Sequence, residues 1–281
     1  MKSIVRFIRE KTKNRTVGEL IDLLIRKALQ IIEYVFLTEI HTESIISKEC
    51  KSKIDNGEDY NFNAVVYTCI SDGYEPGIDK MESGYKCVLF TNMKSISCDG
   101  WHKVITQKKM HGSALNRFYK THPHIFGKYD YALYIDGNVR IEGNINEIFS
   151  QVKQSKCGIA IHSHPKRKSV YKEALACLLF RRGHAGAIIR QMIEYKKEGF
   201  PRGFGLFENT VIATDLTNPI SKKIMDDWWK EYVRSKSGRD QLSLPYVLWK
   251  NGYTKDDVAI LGNDIHKNPV FRVAYNRKHR G

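Results

Sequence analysis

The sequence predicts an α/β fold, a sheet flanked by helices, and three observations indicate it. From residue 63 onward, short apolar runs alternate with stretches of helical periodicity, which is the order that a parallel sheet requires. Several apolar runs end abruptly in polar residues, among them Asp72, Asn92 and Asp136. With 281 residues, of which 42% are hydrophobic, the chain is long enough to bury one α/β core together with a helical appendage.

The charge and cysteine content narrow the function classes. A net charge of +15 indicates an anionic partner, which leaves nucleic acid, an acidic membrane surface and phosphorylated small molecules as candidates. The six cysteines form no Cys-x-x-Cys pair, so neither a zinc ribbon nor a disulfide framework is indicated, and a reducing cytoplasm is the expected compartment. We expect neither a signal peptide nor a membrane-spanning helix, because no charge-free apolar run reaches about 18 residues.

Residues 1–40 form a basic amphipathic segment ahead of the α/β pattern. Residues 1–16 carry six cations against one acid, and residues 17–40 place apolar side chains at helical spacing. Two interpretations stay open for this helix: association with an anionic membrane surface, or packing on the main domain or on a second copy as a homodimer. Residues 41–61 have little periodicity and are interpreted as a linker, which leaves residues 62–281 as the main domain.

The main domain is predicted to alternate strands and helices along the chain. The predicted strands are 64–70, 86–91, 103–105, the run ending at Asp136, 157–161 and 203–213. The predicted helices are 113–124, 169–181, 185–198, 226–233 and one that opens near residue 238. The carboxyl ends of the strands should face one cleft, where open α/β folds bind their ligands.

The run that ends in Asp136-Gly137-Asn138 is the most informative of these strands. A buried strand that stops on a carboxylate and an amide presents oxygen ligands, which suit Mg²⁺ or Mn²⁺ beside a diphosphate. The alternative is a plain hairpin, because Asp-Gly and Gly-Asn are common turn dipeptides.

Other polar residues at predicted element ends are candidates for binding. Arg117 and Lys120 lie three residues apart on one helix face and could grip a diphosphate, or they could belong to a solvated face. Glu208 and Asn209 interrupt an apolar strand, and buried polar groups need partners. Asp240 and Gln241 open a predicted helix, where Asp240 could face the cleft or merely cap the helix.

An ordered series of motifs resembles the TOD/MUCI-type glycosyltransferase family over about residues 62–275. The series comprises Leu115–Lys120, Pro123-His124, Asp136–Asn138, His162–Pro165, Tyr171–Ala174 and Arg239–Ser243. The resemblance implies a GT-A-like, Rossmann-related mixed sheet flanked by helices, and a nucleotide-sugar donor that we expect to be UDP-linked. It also implies a divalent cation (Mn²⁺ or Mg²⁺) at the equivalent of the family's Asp-x-Asp motif. In this sequence Asn138 replaces the second acid of that motif.

With that resemblance, we assign expected roles to individual residues. The catalytic group comprises Asp240, Gln241 and Glu208, and the metal ligands are expected to be Asp136, Asn138 and His266. The donor is expected to be held by Thr68, Asp72, Asn92, Arg117, Lys120, Asp136 and Arg239. The acceptor side is expected to comprise His162, His164, Glu173 and Asn209.

The expected activity is transfer of a sugar to a glycan or lipid-linked glycan acceptor, with retention favoured over inversion. A role in bacterial capsule or lipopolysaccharide synthesis would place the protein peripherally on the cytoplasmic face of the inner membrane. The alternative is a non-catalytic basic α/β domain that binds RNA or an anionic polymer. We expect no nucleic-acid partner, because the cleft-facing acids would repel phosphates unless a cation intervenes.

Overall fold

The computed structural model describes residues 62–274, with the exception of Glu82 and His111. The basic amphipathic segment (1–40), the predicted linker (41–61) and residues 275–281 lie outside the described residues. Within the described part, no helix has the length and apolar character that crossing a bilayer requires.

A seven-stranded sheet forms the centre of the described chain, and a two-stranded sheet lies beside it. The large sheet has the order β3-β2-β1-β4-β7-β6-β8, and the small one pairs β5 with β9. The strands are β1 Ala64–Cys69, β2 Lys86–Thr91, β3 His102–Ile105, β4 Tyr131–Ile135, β5 Val139–Ile141, β6 Ile159–Ser163, β7 Phe207–Asp215, β8 Ala259–Ile260 and β9 Phe271–Val273.

The large sheet is mixed because one strand runs against its neighbours. Strands β1 to β4 are mutually parallel where they pair, whereas β7 is antiparallel to both β4 and β6. The amino end of β7 therefore lies at the same edge as the carboxyl ends of β4 and β6. The expected mixed sheet is confirmed, and the strand ends that carry Asp72, Asn92 and Asp136 share one edge.

Helices cover both faces of the sheet and bury two separate apolar clusters. One face packs against α1, α3, α4, α5 and α6, and the other contacts α2 through Ile148, Phe149 and Val152. The helices are α1 Gly112–Thr121, α2 Asn146–Gln154, α3 Val170–Leu179, α4 Ala185–Lys197, α5 Pro219–Ser235 and α6 Leu244–Lys250.

Two predicted helices have different ends in the structure. Helix α1 stops at Thr121 rather than at residue 124, because Pro123 begins a separate 3₁₀ turn. Helix α5 starts seven residues before the predicted position 226. Its cap is Asn218, whose side chain accepts a hydrogen bond from the backbone of Ile220, and Pro219 occupies the first turn.

The hairpin interpretation of Asp136-Gly137-Asn138 is wrong. The segment does form a turn, since the N–H of Val139 donates to the carbonyl of Asp136 at 2.9 Å. Yet β5, which follows the turn, pairs with β9 and not with β4. The turn thus carries the chain out of the large sheet and leaves Asp136 at its carboxyl edge.

Strand β7 contains an irregularity beside this edge. Ile161 of β6 pairs with Ile212, but the next residue, His162, pairs with Glu208. Residues 209–211 therefore bulge away from β6, although Thr210 still accepts a hydrogen bond from the N–H of Asp136 at 2.9 Å. The bulge frees the backbone of Asn209 from the β6 ladder.

Candidate active site

The carboxyl edge of the sheet holds a cleft of about 320 Å³. The ends of β1 and β4 and the first turns of α1 form its walls. Its lining includes Asp72, Glu75, Asn116, Arg117, Asp136 and Asn138. Strand ends and a helix start thus bring polar side chains from three parts of the chain to one opening.

Asp136 presents one carboxylate oxygen to the protein and remains partly exposed. Its Oδ1 accepts a hydrogen bond from the hydroxyl of Tyr134 at 2.7 Å and lies 3.2 Å from Lys120 Nζ. The side chain of Asp136 is 32% exposed, and the residue lines the cleft. Burial of Tyr134 and the adjacent carboxylate hold the pKa of that hydroxyl well above its usual range, so it stays a hydrogen-bond donor.

Lys120 is a buried cation at the centre of this group. Its side chain is 2% exposed, and its ammonium donates to the backbone carbonyl of Asn209 at 2.8 Å. The same nitrogen lies 3.6 Å from Asp240 Oδ2 and 4.8 Å from the centre of the Tyr134 ring. One ammonium therefore interacts with two carboxylates, those of Asp136 and Asp240.

Asp240 is buried and ion-paired, which argues against the capping interpretation. Its Oδ1 accepts from Arg117 Nε at 3.0 Å, and its Oδ2 accepts from Asn209 Nδ2 at 3.4 Å. It lies in a 3₁₀ turn, Asp240–Leu242, before α6, and its side chain caps neither element. Burial alone would raise the pKa of Asp240, but the nearby cations, with Arg117 first, lower it well below its usual range.

Arg117 connects the buried group to the cleft. Its Nη1 donates to Asn116 Oδ1 at 2.8 Å, and Asn116 Nδ2 donates in turn to the carbonyl of Cys69 at 2.7 Å. The Arg117 side chain is 22% exposed and lines the cleft. Burial would lower its pKa, but Asp240 and Asp136 more than offset that effect, so the guanidinium is permanently charged.

Asp72 and Asn92 form a polar pair, of which Asp72 lines the cleft. Asn92 Nδ2 donates to Asp72 Oδ1 at 2.8 Å, and the backbone N–H of Asp72 donates to Asn92 Oδ1 at 3.0 Å. The second Asp72 oxygen accepts from the N–H of Gly112 at the start of α1. Asp72 adopts a left-handed conformation, with φ 52°, in the turn that holds it there.

A second charged cluster lies around Glu173, which does not line the cleft. Glu173 is 1% exposed and pairs with Arg167 at 2.5 Å and with Arg239 NH2 at 3.5 Å. His164 lies 3.8 Å from the same carboxylate. Arg239 NH2 also donates to Gln241 Oε1 at 3.4 Å, so this cluster is joined to the turn that carries Asp240.

Glu208 lies beside Asp264 and the backbone of Ile265, whereas the side chain of the next residue, Asn209, contacts Asp240. Burial raises the pKa of Glu208 to about 7, with the charge of Asp264 as the next cause, so a fraction of Glu208 is protonated at neutral pH. Its Oε2 is buried and makes no hydrogen bond within the described part of the protein. A carboxyl poised in this way can exchange a proton near neutral pH.

The two histidines of the predicted acceptor group do not come together. His162 packs against Phe271 and Asn268, with Asn268 Nδ2 donating to His162 Nε2 at 2.9 Å. Burial lowers the pKa of His162 to about 4, so this ring is neutral. His164 belongs instead to the Glu173 cluster.

The cleft fits a divalent cation held largely by its substrate. Asp136 and Asn138 both line it, and Asp136 Oδ2 makes no recorded hydrogen bond to the described residues. His266 borders a different hollow, with Asn268 and Phe271. No three His, Cys, Asp or Glu side chains among residues 62–274, Glu82 and His111 apart, meet as a metal-binding group. One carboxylate and one amide suit Mg²⁺ or Mn²⁺ when phosphate oxygens and water complete the shell.

The structure also shows which candidates lie away from the cleft and which residues in or beside it were not predicted. Thr68 is fully buried within β1, one position short of the strand end, and Lys120 lies behind the cleft wall. Asn116 and Tyr134 were missed. Their signal was positional, because Asn116 precedes Arg117 on α1 and Tyr134 lies two residues before Asp136 on one face of β4.

Two solved structures show a distant similarity to the chain. The fold is similar to the apo structure of the bifunctional glycosyltransferase WbbM (12% identity, TM-score 0.42), with 73% of this chain and 40% of that chain covered. It is also similar to the apo form of mouse xyloside xylosyltransferase 1 (11% identity, TM-score 0.38), with 71% of this chain and 84% of that chain covered.

Sequence comparisons give the family. No curated protein sequence matches the chain. The family described as TOD1/MUCI70, glycosyltransferase-like domain, matches residues 106–273, a range that contains both Asp136 and Asp240. Since this match covers more than half of the 281 residues, the chain belongs to the TOD1/MUCI70 glycosyltransferase-like family.

Proposed function

We propose that this protein transfers a sugar from a nucleotide-sugar donor, UDP-linked, to a glycan acceptor. The observation that carries the proposal is the shared position of Arg117 and Asp136 on the walls of one cleft. A permanent cation and a partly exposed carboxylate at the carboxyl edge of the sheet suit a diphosphate and its counter-ion.

The cleft offers separate places for the parts of the donor. The Asp72 and Asn92 pair offers carboxylate and amide groups for a nucleoside, and Arg117 offers a guanidinium for the diphosphate. Asp136 and Asn138 would hold a Mn²⁺ or Mg²⁺ ion. When bound, such an ion neutralises charge on the diphosphate leaving group.

Asp240 acts in this proposal as a fixed negative charge. Its pKa lies well below its usual range, so it is a poor proton acceptor at neutral pH. It holds Arg117 in place beside the cleft, and its charge favours the positive charge that develops at the anomeric carbon. Gln241 fixes the turn, since its Nε2 donates to the carbonyl of Phe207 at 2.8 Å.

The stereochemical outcome depends on whether a carboxylate takes the acceptor proton. An ionised Asp240 without general-base character supports retention, in which the leaving diphosphate assists the incoming hydroxyl. Glu208 is the alternative base, because a carboxyl with a pKa of about 7 accepts a proton efficiently at neutral pH. Retention remains our proposal.

The acceptor and the location extend the same proposal. The guanidinium of Arg239, which is 22% exposed and pairs with Glu173 at 3.5 Å, supplies a charged hydrogen-bond partner for a sugar hydroxyl or an acidic glycan. A glycan or lipid-linked glycan in bacterial capsule or lipopolysaccharide synthesis suits an enzyme on the cytoplasmic face of the inner membrane. The basic amphipathic segment 1–40 supports that location through its composition.

A panel of nucleotide sugars, scored by thermal shift with and without Mn²⁺, tests the function. A donor at about 100 times its Kd stabilises the folded protein by about 2.7 kcal/mol, which is a measurable shift. We expect a UDP-sugar to raise the melting temperature of the parent protein, and to raise it further when Mn²⁺ is present. The same UDP-sugar should not raise the melting temperature of Arg117→Ala. If no nucleotide sugar binds or is cleaved, and RNA binds with a steep salt dependence, the RNA-binding alternative replaces this proposal.

A further inference from the structure

Helix α4 has an apolar side chain pair on its outer side as well as an apolar inner side. Its inner residues Ile188 and Tyr195 are fully buried in the core. Ile189 and Ile193, one turn apart on the outer side, are 48% and 49% exposed. A surface helix ordinarily carries polar residues there, so this pair needs a separate explanation.

The loop between α3 and α4 also exposes apolar side chains. Leu179 and Phe180 are partly exposed at the end of α3, and the guanidinium of Arg182 lies 5.5 Å from the centre of the Phe180 ring. Arg181 follows Phe180 in a left-handed conformation, with φ 53°. Apolar and basic side chains therefore occur side by side in the loop, as they do at Ile189 and Arg190 of α4. We name this surface the hairpin face, made of Phe180, Arg181, Arg182, Ile189, Arg190, Ile193, Lys196 and Lys197.

The hairpin face is strongly cationic. Residues 181–199 contain five Lys and Arg residues and two acids. Both acids are engaged elsewhere, since Glu194 pairs with Arg234 at 2.7 Å and Glu198 pairs with Lys250. Among the described residues the cations of this face form no ion pair. Exposed isoleucines beside such cations match the chemistry of an anionic lipid surface, which offers phosphate groups above an apolar layer.

The hairpin face is joined to the candidate site by a tight backbone contact. His184 N–H donates to the carbonyl of Ser237 at 2.9 Å. A side chain at Gly183, where φ is 81°, would clash with that carbonyl and with Arg239. Arg239 contacts Glu173 and precedes Asp240, so a surface bound at the hairpin face lies close to the proposed acceptor side.

We propose that the hairpin face docks the domain on an anionic membrane. Ile189 and Ile193 enter the interface between headgroups and acyl chains, while Arg181, Arg182 and Arg190 contact lipid phosphates. Docking itself is independent of the proposed transferase activity. Its consequence, that a membrane-bound acceptor is presented near Arg239, rests on the proposed function.

The competing occupant is residues 17–61 of the same chain. That segment has nine acidic and five basic residues together with an apolar stripe, so its charge is opposite to that of the hairpin face. Residues 1–16, with six cations, share the preference of the hairpin face for an anionic partner. A decisive experiment must therefore use the full chain and change only the hairpin face.

The test is co-sedimentation of the full chain with vesicles. One set contains equal parts of phosphatidylcholine and phosphatidylglycerol, and the other contains phosphatidylcholine alone. We expect Ile189→Ser with Ile193→Ser to lower partition to the anionic vesicles by about tenfold or more, because apolar burial is lost. Arg181→Ser with Arg182→Ser should lower it by about fivefold for each cation, and salt should reduce this difference.

Matched substitutions elsewhere on the domain serve as controls. Ile105→Ser with Ile260→Ser changes two exposed isoleucines on β3 and β8, and Lys86→Ser with Lys153→Ser removes two exposed cations. Both control proteins should partition as the parent does. Equal partition of the hairpin-face variants and the parent overturns the proposal. A lower melting temperature in those variants with unchanged partition would assign the face to residues 17–61 instead. Cleavage of nucleotide sugars in solution, measured separately, reports on the transferase proposal alone.

Discussion

Lys120 and Asp240 form a buried ion pair behind the wall of the cleft, with 3.6 Å between Nζ and Oδ2 and side chains 2% and 4% exposed. The pair joins the last turn of α1 to a turn that follows α5, and it places a permanent charge pair between the sheet and the helix layer. Because the same ammonium also contacts Asp136, the exposed carboxylate of the cleft depends on a group that solvent does not reach.

Lys120→Met should destabilise the protein by about 3–5 kcal/mol, because it leaves two carboxylates without their buried cation. The folded-state pKa of Asp240 is lowered, so its stabilising contribution is present at neutral pH and lost on acidification. The difference between the parent and Lys120→Met should therefore shrink as the pH falls below about 4. Urea unfolding across this pH range measures it.

Two further proteins make that prediction specific. Lys153→Met, at an exposed lysine of α2, should change stability by no more than about 0.5 kcal/mol. The double variant Lys120→Met with Asp240→Asn should lose less than the sum of the single variants, because the unpaired charge is also removed. Strict additivity would show that the two side chains do not interact.

Asp240→Asn should lower turnover by about 100-fold or more and also destabilise the fold, because Arg117 and Lys120 both lose a charged partner. Asp257→Asn is the matched control, since Asp257 completes a capping box with Thr254. That change should cost about 0.5–2 kcal/mol at most and leave turnover intact. Steady-state kinetics with the donor identified by thermal shift measure both. Near-normal turnover in Asp240→Asn would remove Asp240 from the mechanism.

Asp136→Ala should abolish transfer while the protein stays folded, because the proposed cation loses its carboxylate ligand. Asn138→Asp should preserve or strengthen cation affinity by adding a charge at the same cleft. Asp79→Ala removes an exposed carboxylate that pairs with Arg140, and it should leave transfer unchanged. Activity titrated with Mn²⁺ and with a chelator provides the measurement. Full activity of the parent in excess chelator would contradict the assignment of a divalent cation.

Glu208→Gln separates a general base from a buried structural carboxyl. The folded-state pKa of Glu208 is about 7 against an ordinary 4.5, so the parent should lose stability as pH rises from 4.5 to 7. Glutamine lacks this titration and should recover roughly 2–3 kcal/mol above pH 7. Under retention without a base, turnover of Glu208→Gln should stay near that of the parent. A large loss of turnover in Glu208→Gln, together with a parent pH–activity profile that rises near pH 7, would instead favour inversion with Glu208 as the base.

The sequence predicted which residues lie at the carboxyl edge of the sheet, but it did not predict which side chains are buried behind the cleft. Asp72, Asn92 and Asp136 follow apolar runs, and the strands before them are parallel in the structure, so one local rule places all three at a common edge. Helix α2, Asn146–Gln154, was missed because its nine residues give a short apolar period that hydrophobic patterning resolves weakly.

The burial of Lys120 could not be inferred from α1 alone. Its spacing from Arg117 indicates a shared helix face. That face is covered by Asn209, which lies 89 residues further along the chain, and by Asp240. The separation of His162 from His164 has a similar origin, because the partners Asn268 and Glu173 come from distant segments. Long-range packing decided these positions, and a single sequence does not encode it in any local pattern.

The bulge in β7 has a consequence for how this site can change. Lys120 is held by the main-chain oxygen of Asn209, which the irregular pairing with β6 releases. That oxygen persists whichever amino acid occupies position 209, so point substitutions there alter only the amide contact to Asp240. Only a change in chain length, such as deletion of one residue from 209–211, would remove this hydrogen-bond acceptor of Lys120. The charge network thus tolerates amino-acid substitutions at position 209 but is sensitive to insertions and deletions in this part of β7. Redesign of the site must therefore begin with the backbone.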